Sequence, residues 1–205
     1  MSDQLVFYTH PMSRARIVRW MLEEVGAPYE VRSIDFKAGA HKSPAYLAVN
    51  PMGKVPAIVH RGAVVTECAA ICAYLADAFP EAGLAPPPAE RAAYYRWLFF
   101  GAGTLEYALV DKMFARPPVE RPSALGYGHF ADAMHTLDSA LEPGPWLLGD
   151  RFSAADVYIG SQVGYSAMMK VMEPTPAMSA YLARCQARPA AARANALDAV
   201  LMKGG

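Results

Sequence analysis

The alternation of apolar and polar positions changes period along the first 80 residues. Leu5-Val-Phe-Tyr8 is a short apolar run of strand-forming residues. Past His10-Pro11, Ile17, Val18, Met21, Leu22 and Val25 recur at helical spacing, which predicts one buried helix face. Gly26 then stands where a C-cap glycine belongs. Tyr29 to Ile34 alternates and predicts a second strand, and a short helix is expected at Pro44–Val49. Pro56–Val59 and Ala63–Val65, separated by Arg61-Gly62, predict a hairpin. Thr66 is placed as the cap of a helix running to about Asp77, with Ala70, Ile71, Tyr74 and Leu75 on its apolar face.

A strand–helix–strand unit implies a parallel pair with a right-handed crossover. The hairpin adds two antiparallel strands to that sheet. Residues 80–89 are a Pro-rich break, with three consecutive prolines that cannot continue a helix. They predict a stiff linker and a domain boundary. The expected division is 1–80, a linker at 81–89, and an all-helical domain at 90–205. A long helix is expected over Glu90–Arg116, bent near Gly101-x-Gly103, with Trp97, Phe99 and Phe100 read as core. A second is expected over Ser123–Leu141, ended by Glu142-Pro-Gly-Pro145, and a last helical region after Pro176. Within Phe152-Ser-Ala-Ala-Asp-Val157, Ser153 and Asp156 have capping-box spacing and Phe152 and Val157 hold the staple positions.

Composition narrows the function. The 205 residues are 54% apolar and 19% charged, as expected of a folded chain. Lys+Arg and Asp+Glu are 19 each, and dividing the chain at residue 80 gives +8/−7 and +11/−12. Without a basic excess there is nothing to neutralise phosphates, so a nucleic-acid partner is not expected. The longest stretch without Asp, Glu, Lys or Arg is Val157–Met169, 13 residues, too short to span a bilayer. Met1-Ser-Asp-Gln4 carries neither a basic region nor an apolar run, so no secretory signal is expected. Three cysteines, Cys68, Cys72 and Cys185, form no Cys-x-x-Cys pair, which argues against a disulfide framework or a metal site and for a cytoplasmic setting.

Four segments of the first half offer chemistry. Tyr8-Thr9-His10-Pro11-Met12-Ser13-Arg14 joins a strand end to a helix start, where ligands and anions are favoured. Ser13 or Thr9 can equally be a simple helix cap there. Gly53-Lys54-Val55-Pro56-Ala57 leads into a strand. Thr66-Glu67-Cys68 opens a helix, where an acidic residue is favoured by the helix dipole. Cys68 and Cys72, four apart on one face, read most simply as buried small apolar residues. His41-Lys42 lies in a polar stretch that on its own reads as solvated.

Together, the element order, Val55-Pro56 before the third strand, Glu67-Cys68-Ala69-Ala70-Ile71, the Pro-rich linker and the Ser153-x-x-Asp156 box resemble the soluble, bacterial-like glutathione S-transferase family. The resemblance covers about residues 4 to 200. It implies an α/β N-terminal thioredoxin-like domain followed by an all-α helical C-terminal domain. It also implies a cytoplasmic homodimer serving detoxification, with glutathione as co-substrate, a hydrophobic small molecule as second substrate and no metal.

The resemblance further implies roles. Val55 offers its backbone to the cysteinyl part of glutathione, Pro56 is cis, and Glu67 pairs with the γ-glutamyl ammonium. Cys68 stands where a serine normally binds the γ-glutamyl carboxylate; its thiol is a weaker donor, but its backbone N–H at a helix start can serve. His41 and Lys54 match the region contacting the glycyl end. The activating residue donates a hydrogen bond to the glutathione thiolate; Ser13 is preferred because it opens the helix, with Thr9 and His10 as alternatives. Lowering a thiol pKa by about two units requires roughly 2.7 kcal/mol of thiolate stabilisation. Met12, Tyr107 and Phe114 are the expected lining of an apolar electrophile pocket. The implied reaction is conjugation of the thiolate to a hydrophobic electrophile. The competing readings are a glutathione-dependent isomerase or dehalogenase, lowered by the absence of a Ser-Ser-Cys-x-x-Arg signature, and a non-catalytic binding or regulatory relative.

Overall fold

A computed structural model describes residues 4–203. The Met1-Ser-Asp3 part of the leader reading lies outside the described residues. The first strand, β1 (Leu5–Thr9), carries the apolar run and is buried along most of its length. It is followed by α1 (Ala15–Val25), β2 (Glu30–Ser33), the short α2 (Pro44–Leu47), β3 (Ala57–His60), β4 (Ala63–Thr66) and α3 (Cys68–Ala78). The strand order is β2-β1-β3-β4. β1 and β2 are parallel, while β3 is antiparallel to both β1 and β4. The expected order and strand directions are therefore observed.

Local chemistry explains the element ends. Gly26 closes α1 in the left-handed conformation, φ 68°, its N–H donating to the Leu22 carbonyl. The hairpin turn holds both Arg61 (φ 52°) and Gly62 (φ 81°) in that region, the pattern that matches the twist of paired strands. Ser43 caps α2 by accepting the Tyr46 N–H. Thr66, expected as the cap of α3, is instead the last residue of β4, paired with Ala57. Glu67 takes the cap position.

The chain forms two compact units. The first runs to Ala82 and also takes in residues from Arg188 onward; the second is Gly83–Ala187. In the first unit the last helix, α9 (Pro189–Lys203), lies against α1. Their seam is ionic. Arg188 makes a two-pronged pair with Glu24 at 2.6 and 2.7 Å, Arg193 reaches Glu23 at 3.1 Å, and buried Arg19 meets buried Asp198 at 2.9 Å. Arg16 donates to the Asn195 side-chain oxygen at 3.0 Å.

The second unit is helical. α4 (Ala92–Phe99) passes through a π-helical stretch, Phe100–Leu105, into α5 (Glu106–Met113), so the expected bend is a local widening of the helix. The buried Gln162 amide donates to the Gly101 carbonyl at 3.1 Å within that stretch. Trp97 is core as expected, but Phe99 is exposed, because the buried face of α4 runs through Tyr94, Trp97 and Leu98. α6 (Phe130–Leu141) starts seven residues later than expected, after Gly126 and Gly128, the latter at φ 64°. The Pro-rich segment is anchored: Leu84 is buried and its carbonyl accepts the Ala154 N–H at 2.9 Å.

α7 (Ala154–Met168) starts at the expected box. Buried Asp156 accepts the Ser153 N–H at 2.9 Å, the Ser153 hydroxyl at 3.1 Å and the Leu147 N–H at 2.9 Å. The Tyr181 hydroxyl of α8 (Pro176–Gln186) adds a fourth contact at 3.2 Å. Burial still holds the Asp156 carboxyl above the usual carboxylate range, with these hydrogen bonds pulling it back. Among the described residues no helix is long and apolar enough to cross a membrane.

Candidate functional site

The sheet register assembles the candidate residues. Tyr8 pairs with Ala57, and Ala57 pairs with Thr66, so three strands are level at one end of the sheet. The segments leaving there are His10–Ser13 after β1, Lys54–Pro56 before β3 and Glu67-Cys68 after β4. β2 ends at the same side, since Ser33 pairs with Thr9, and the chain then leads to His41. Neighbouring strands lie about 4.8 Å apart, so three strands span about 10 Å, the reach of an extended tripeptide.

The segment before β3 is held rigidly. The Lys54 carbonyl accepts the Tyr46 hydroxyl at 2.5 Å and the Asn50 amide at 2.8 Å. The Asn50 side chain also accepts the Met52 N–H at 3.1 Å. Asn50 is 3% exposed and Tyr46 4%, so both act as internal braces. Burial, with the neighbouring Tyr8, pushes the Tyr46 hydroxyl up to about 12, so it remains a donor throughout the neutral range. Gly53 sits at φ 63°, and a Cβ there would come within 2.6 Å of the His41 carbonyl. The sequence reading missed Asn50 and Tyr46; the Asn50-Pro-x-Gly53 turn signal was the available clue. The Val55–Pro56 peptide is cis, as the resemblance implies. Lys54 is exposed, Val55 half-buried and Pro56 buried.

Glu67 carries a side chain at φ 66°, ψ 124°, a sparsely populated region that costs about 1–3 kcal/mol. It makes no side-chain cap bond and is exposed. Such strain clusters where function constrains the backbone. Cys68 is buried and its thiol donates to the Arg14 carbonyl at 3.7 Å, which ties the first turn of α3 to the entry of α1. Cys72 is buried one turn on, and burial raises its thiol well above the ordinary range, so it stays protonated.

At the entry of α1 the three activation candidates part company. Thr9 is completely buried, and its hydroxyl has no partner among the described residues. It presents no surface to a ligand, which corrects its place as a candidate. The Ser13 hydroxyl donates to the His10 carbonyl at 2.7 Å and accepts the Ala15 N–H at 3.1 Å, the bonds of a local turn brace. His10 is half-buried and its Nδ1 accepts the Met12 N–H at 3.2 Å. Its ring meets Phe36 edge-on at 5.1 Å, and Phe36 stacks on His41 at 4.6 Å. The His41 Nδ1 is buried without a partner among the described residues.

Lys42, Lys54 and Arg14 are exposed on this set of segments, with Glu67 as its carboxylate. Of the expected electrophile residues, Met12 is 80% exposed in the first unit, and Tyr107 and Phe114 are 60% and 70% exposed in the second. Large apolar side chains this exposed are available to an apolar ligand.

Sequence families decide the identity. The profile "Glutathione S-transferase, N-terminal domain" matches residues 3–77, and "Glutathione S-transferase, C-terminal domain" matches residues 81–184. The chain belongs to the glutathione S-transferase family. It is 31% identical over 163 residues to glutathione S-transferase 3 of Zea mays, covering 74% of this chain and 73% of that one. The glutathione transferase of Methylococcus capsulatus is 32% identical with a TM-score of 0.77, covering 96% of this chain and 99% of that one. A glutathione transferase homologue from Sulfitobacter, solved with bound glutathione, is 27% identical with a TM-score of 0.76 and coverage of 96% and 99%. As a glutathione S-transferase, the chain joins a thioredoxin-like unit to a helical one. Among its described residues no group of three or more His, Cys, Asp or Glu side chains could hold a metal ion.

Proposed function

We propose that this glutathione transferase binds glutathione along the end of its sheet, ionises the thiol, and conjugates the thiolate to a small hydrophobic electrophile. The observation that supports this most is the level pairing Tyr8–Ala57–Thr66, from which the three ligand-holding segments emerge side by side. In this reading the Val55 backbone holds the cysteinyl unit, and Glu67 takes the γ-glutamyl ammonium. The Cys68 N–H, at the start of an 11-residue helix, takes the γ-glutamyl carboxylate. Lys54 and His41 serve the glycyl end. The sulfur then lies at the entry of α1, beside the Ser13 and His10 segment. Met12, on the first unit, supplies apolar surface for the electrophile, and Tyr107 and Phe114 are the residues of the second unit that the resemblance assigns to that role. The reading includes a cytoplasmic homodimer with a role in detoxification.

Retention on glutathione-agarose followed by elution with free glutathione tests binding. Turnover of 1-chloro-2,4-dinitrobenzene tests transfer. Retention without turnover of this or a panel of other electrophiles favours a binding module instead, a reading that the inward bonding of Ser13 keeps alive. Light scattering tests the dimer.

A further inference from the structure

The group that stabilises the glutathione sulfur can be narrowed from this geometry. Thr9 is fully buried, and both bonds of the Ser13 hydroxyl lie within its own turn, its proton given to the His10 carbonyl. His10 is placed differently. Its Nδ1 accepts the Met12 N–H at 3.2 Å, and a ring nitrogen that accepts carries no proton. The neutral ring therefore keeps its proton on Nε2. Contact with Phe36 at 5.1 Å, backed by the Phe36–His41 stack at 4.6 Å, holds the ring in place. The ring remains half-buried, so part of it is open to solvent.

Position agrees with chemistry. The antiparallel pairing of β1 with β3 runs from Leu5–His60 to Tyr8–Ala57. The ladder stops there: β1 closes at Thr9 and β3 opens at Ala57, so His10 leaves the sheet at the same end at which Val55–Pro56 enters it. Thr9 closes the strand fully buried, whereas His10, the next residue, is half-open. β1 and β3 are neighbouring strands, so a cysteinyl unit lying along Val55 has its sulfur beside the strand end that His10 follows.

We propose that His10 is the catalytic residue of this protein, donating its Nε2–H to the glutathione thiolate. The proposal rests on the glutathione reading above. The thiol S–H ionises and its proton passes to water. The thiolate accepts the Nε2–H hydrogen bond. With 1-chloro-2,4-dinitrobenzene, a sulfur lone pair forms the C–S bond and chloride leaves with the C–Cl pair. His10 ends in the state in which it began, and Ser13 positions it by holding its carbonyl.

The test compares wild type with His10→Ala, His10→Phe and His10→Gln. The phenylalanine variant keeps a ring against Phe36 without a donor, so it covers the case in which alanine does not fold. The glutamine variant returns an amide N–H near the Nε2 position. Glutathione affinity is read by calorimetry, the bound thiolate by its ultraviolet absorbance against pH, and transfer by turnover of 1-chloro-2,4-dinitrobenzene. The expected result is measurable glutathione binding in the alanine and phenylalanine variants with the thiolate curve moved up by about one pH unit, hence about tenfold less thiolate and turnover at pH below the wild-type midpoint. His10→Gln should recover part of both. A bound thiolate curve unmoved by removal of the imidazole overturns the assignment and leaves glutathione binding standing. Failure of the wild-type protein to bind glutathione overturns the assignment together with the reading beneath it.

Discussion

Arg19 of α1 and Asp198 of α9 form an ion pair across 179 positions of sequence, with side chains 2% and 1% exposed and Nε 2.9 Å from Oδ1. The guanidinium also lies over the Phe7 ring at 5.0 Å and donates to the Tyr29 hydroxyl at 3.2 Å. Burial raises the Asp198 carboxyl, and Arg19 pulls it back. Removing one partner strands the other charge, which costs about 3–5 kcal/mol. Asp198→Ala is therefore expected to lower the unfolding free energy by that amount in urea titration. The exposed pair Arg193–Glu23 belongs to the same seam, and Arg193→Ala should cost under about 1 kcal/mol. Equal losses at the two positions would show that the buried pair is not what docks α9.

Asp156 supplies the pH dependence. Its carboxyl is raised by burial, so just above the unfolded value the native state binds more protons than the unfolded chain. Stability from this group is full at low pH and is lost as pH rises through the native value. Asparagine does not titrate. The stability of wild type relative to Asp156→Asn should therefore shrink as pH rises from about 4 toward neutrality. Unfolding both proteins in urea across that range checks the sign, and a difference that grows with pH would contradict it. Asp156→Ala, which orphans the Ser153 and Leu147 N–H groups, should cost about 2–4 kcal/mol.

Asn50 braces the segment that offers Val55. Asn50→Ala removes the bonds to the Lys54 carbonyl and the Met52 N–H, and it leaves buried groups unpaired. A stability loss of about 1–3 kcal/mol is expected. Weaker retention on glutathione-agarose should accompany it, because the loop is no longer pre-organised. Retention like that of wild type would separate the brace from the binding segment.

Glu67 trades stability for its position. Glycine adopts φ 66° without the Cβ penalty, so Glu67→Gly should relieve about 1 kcal/mol of strain. Loss of the carboxylate should at the same time reduce glutathione affinity. Melting temperature and calorimetry read the two effects separately, and a melting temperature that falls would sink the strain argument.

Gly101 allows the π-helical stretch to pack. A Cβ there would sit 2.9 Å from two Tyr158 ring atoms. Gly101→Ala should destabilise by about 1–3 kcal/mol, since a buried ring cannot retreat cheaply. Gly103→Ala meets nothing within 4 Å and serves as the control.

Much of this architecture is legible from local periodicity. The order of strands and helices in the first 80 residues follows from switches between alternating and helical spacing. The Arg61-Gly62 turn, the Gly26 cap and the Ser153–Asp156 box lie where their residue types demand particular dihedrals or donors. The grouping of Val55, Pro56 and Glu67 comes from the family resemblance over the whole chain, whereas the turn, the cap and the box are local signals. Each of these signals acts over fewer than about ten residues, the range in which one chain segment constrains itself.

Tertiary structure decided the rest. Thr66 loses its role as a cap because pairing with Ala57 commits it to β4. Thr9 and His10 are adjacent in sequence, yet one is sealed in the core and the other half-open, a difference set by strand direction and by what covers each face. Asn50 becomes a brace only when the chain folds back to Lys54. α9 joins the first unit through Arg19–Asp198 and Arg188–Glu24, pairs separated by 179 and 164 positions. Periodicity records which side of a helix is buried, but not which distant charge waits there, because that choice is made by the packing of whole elements.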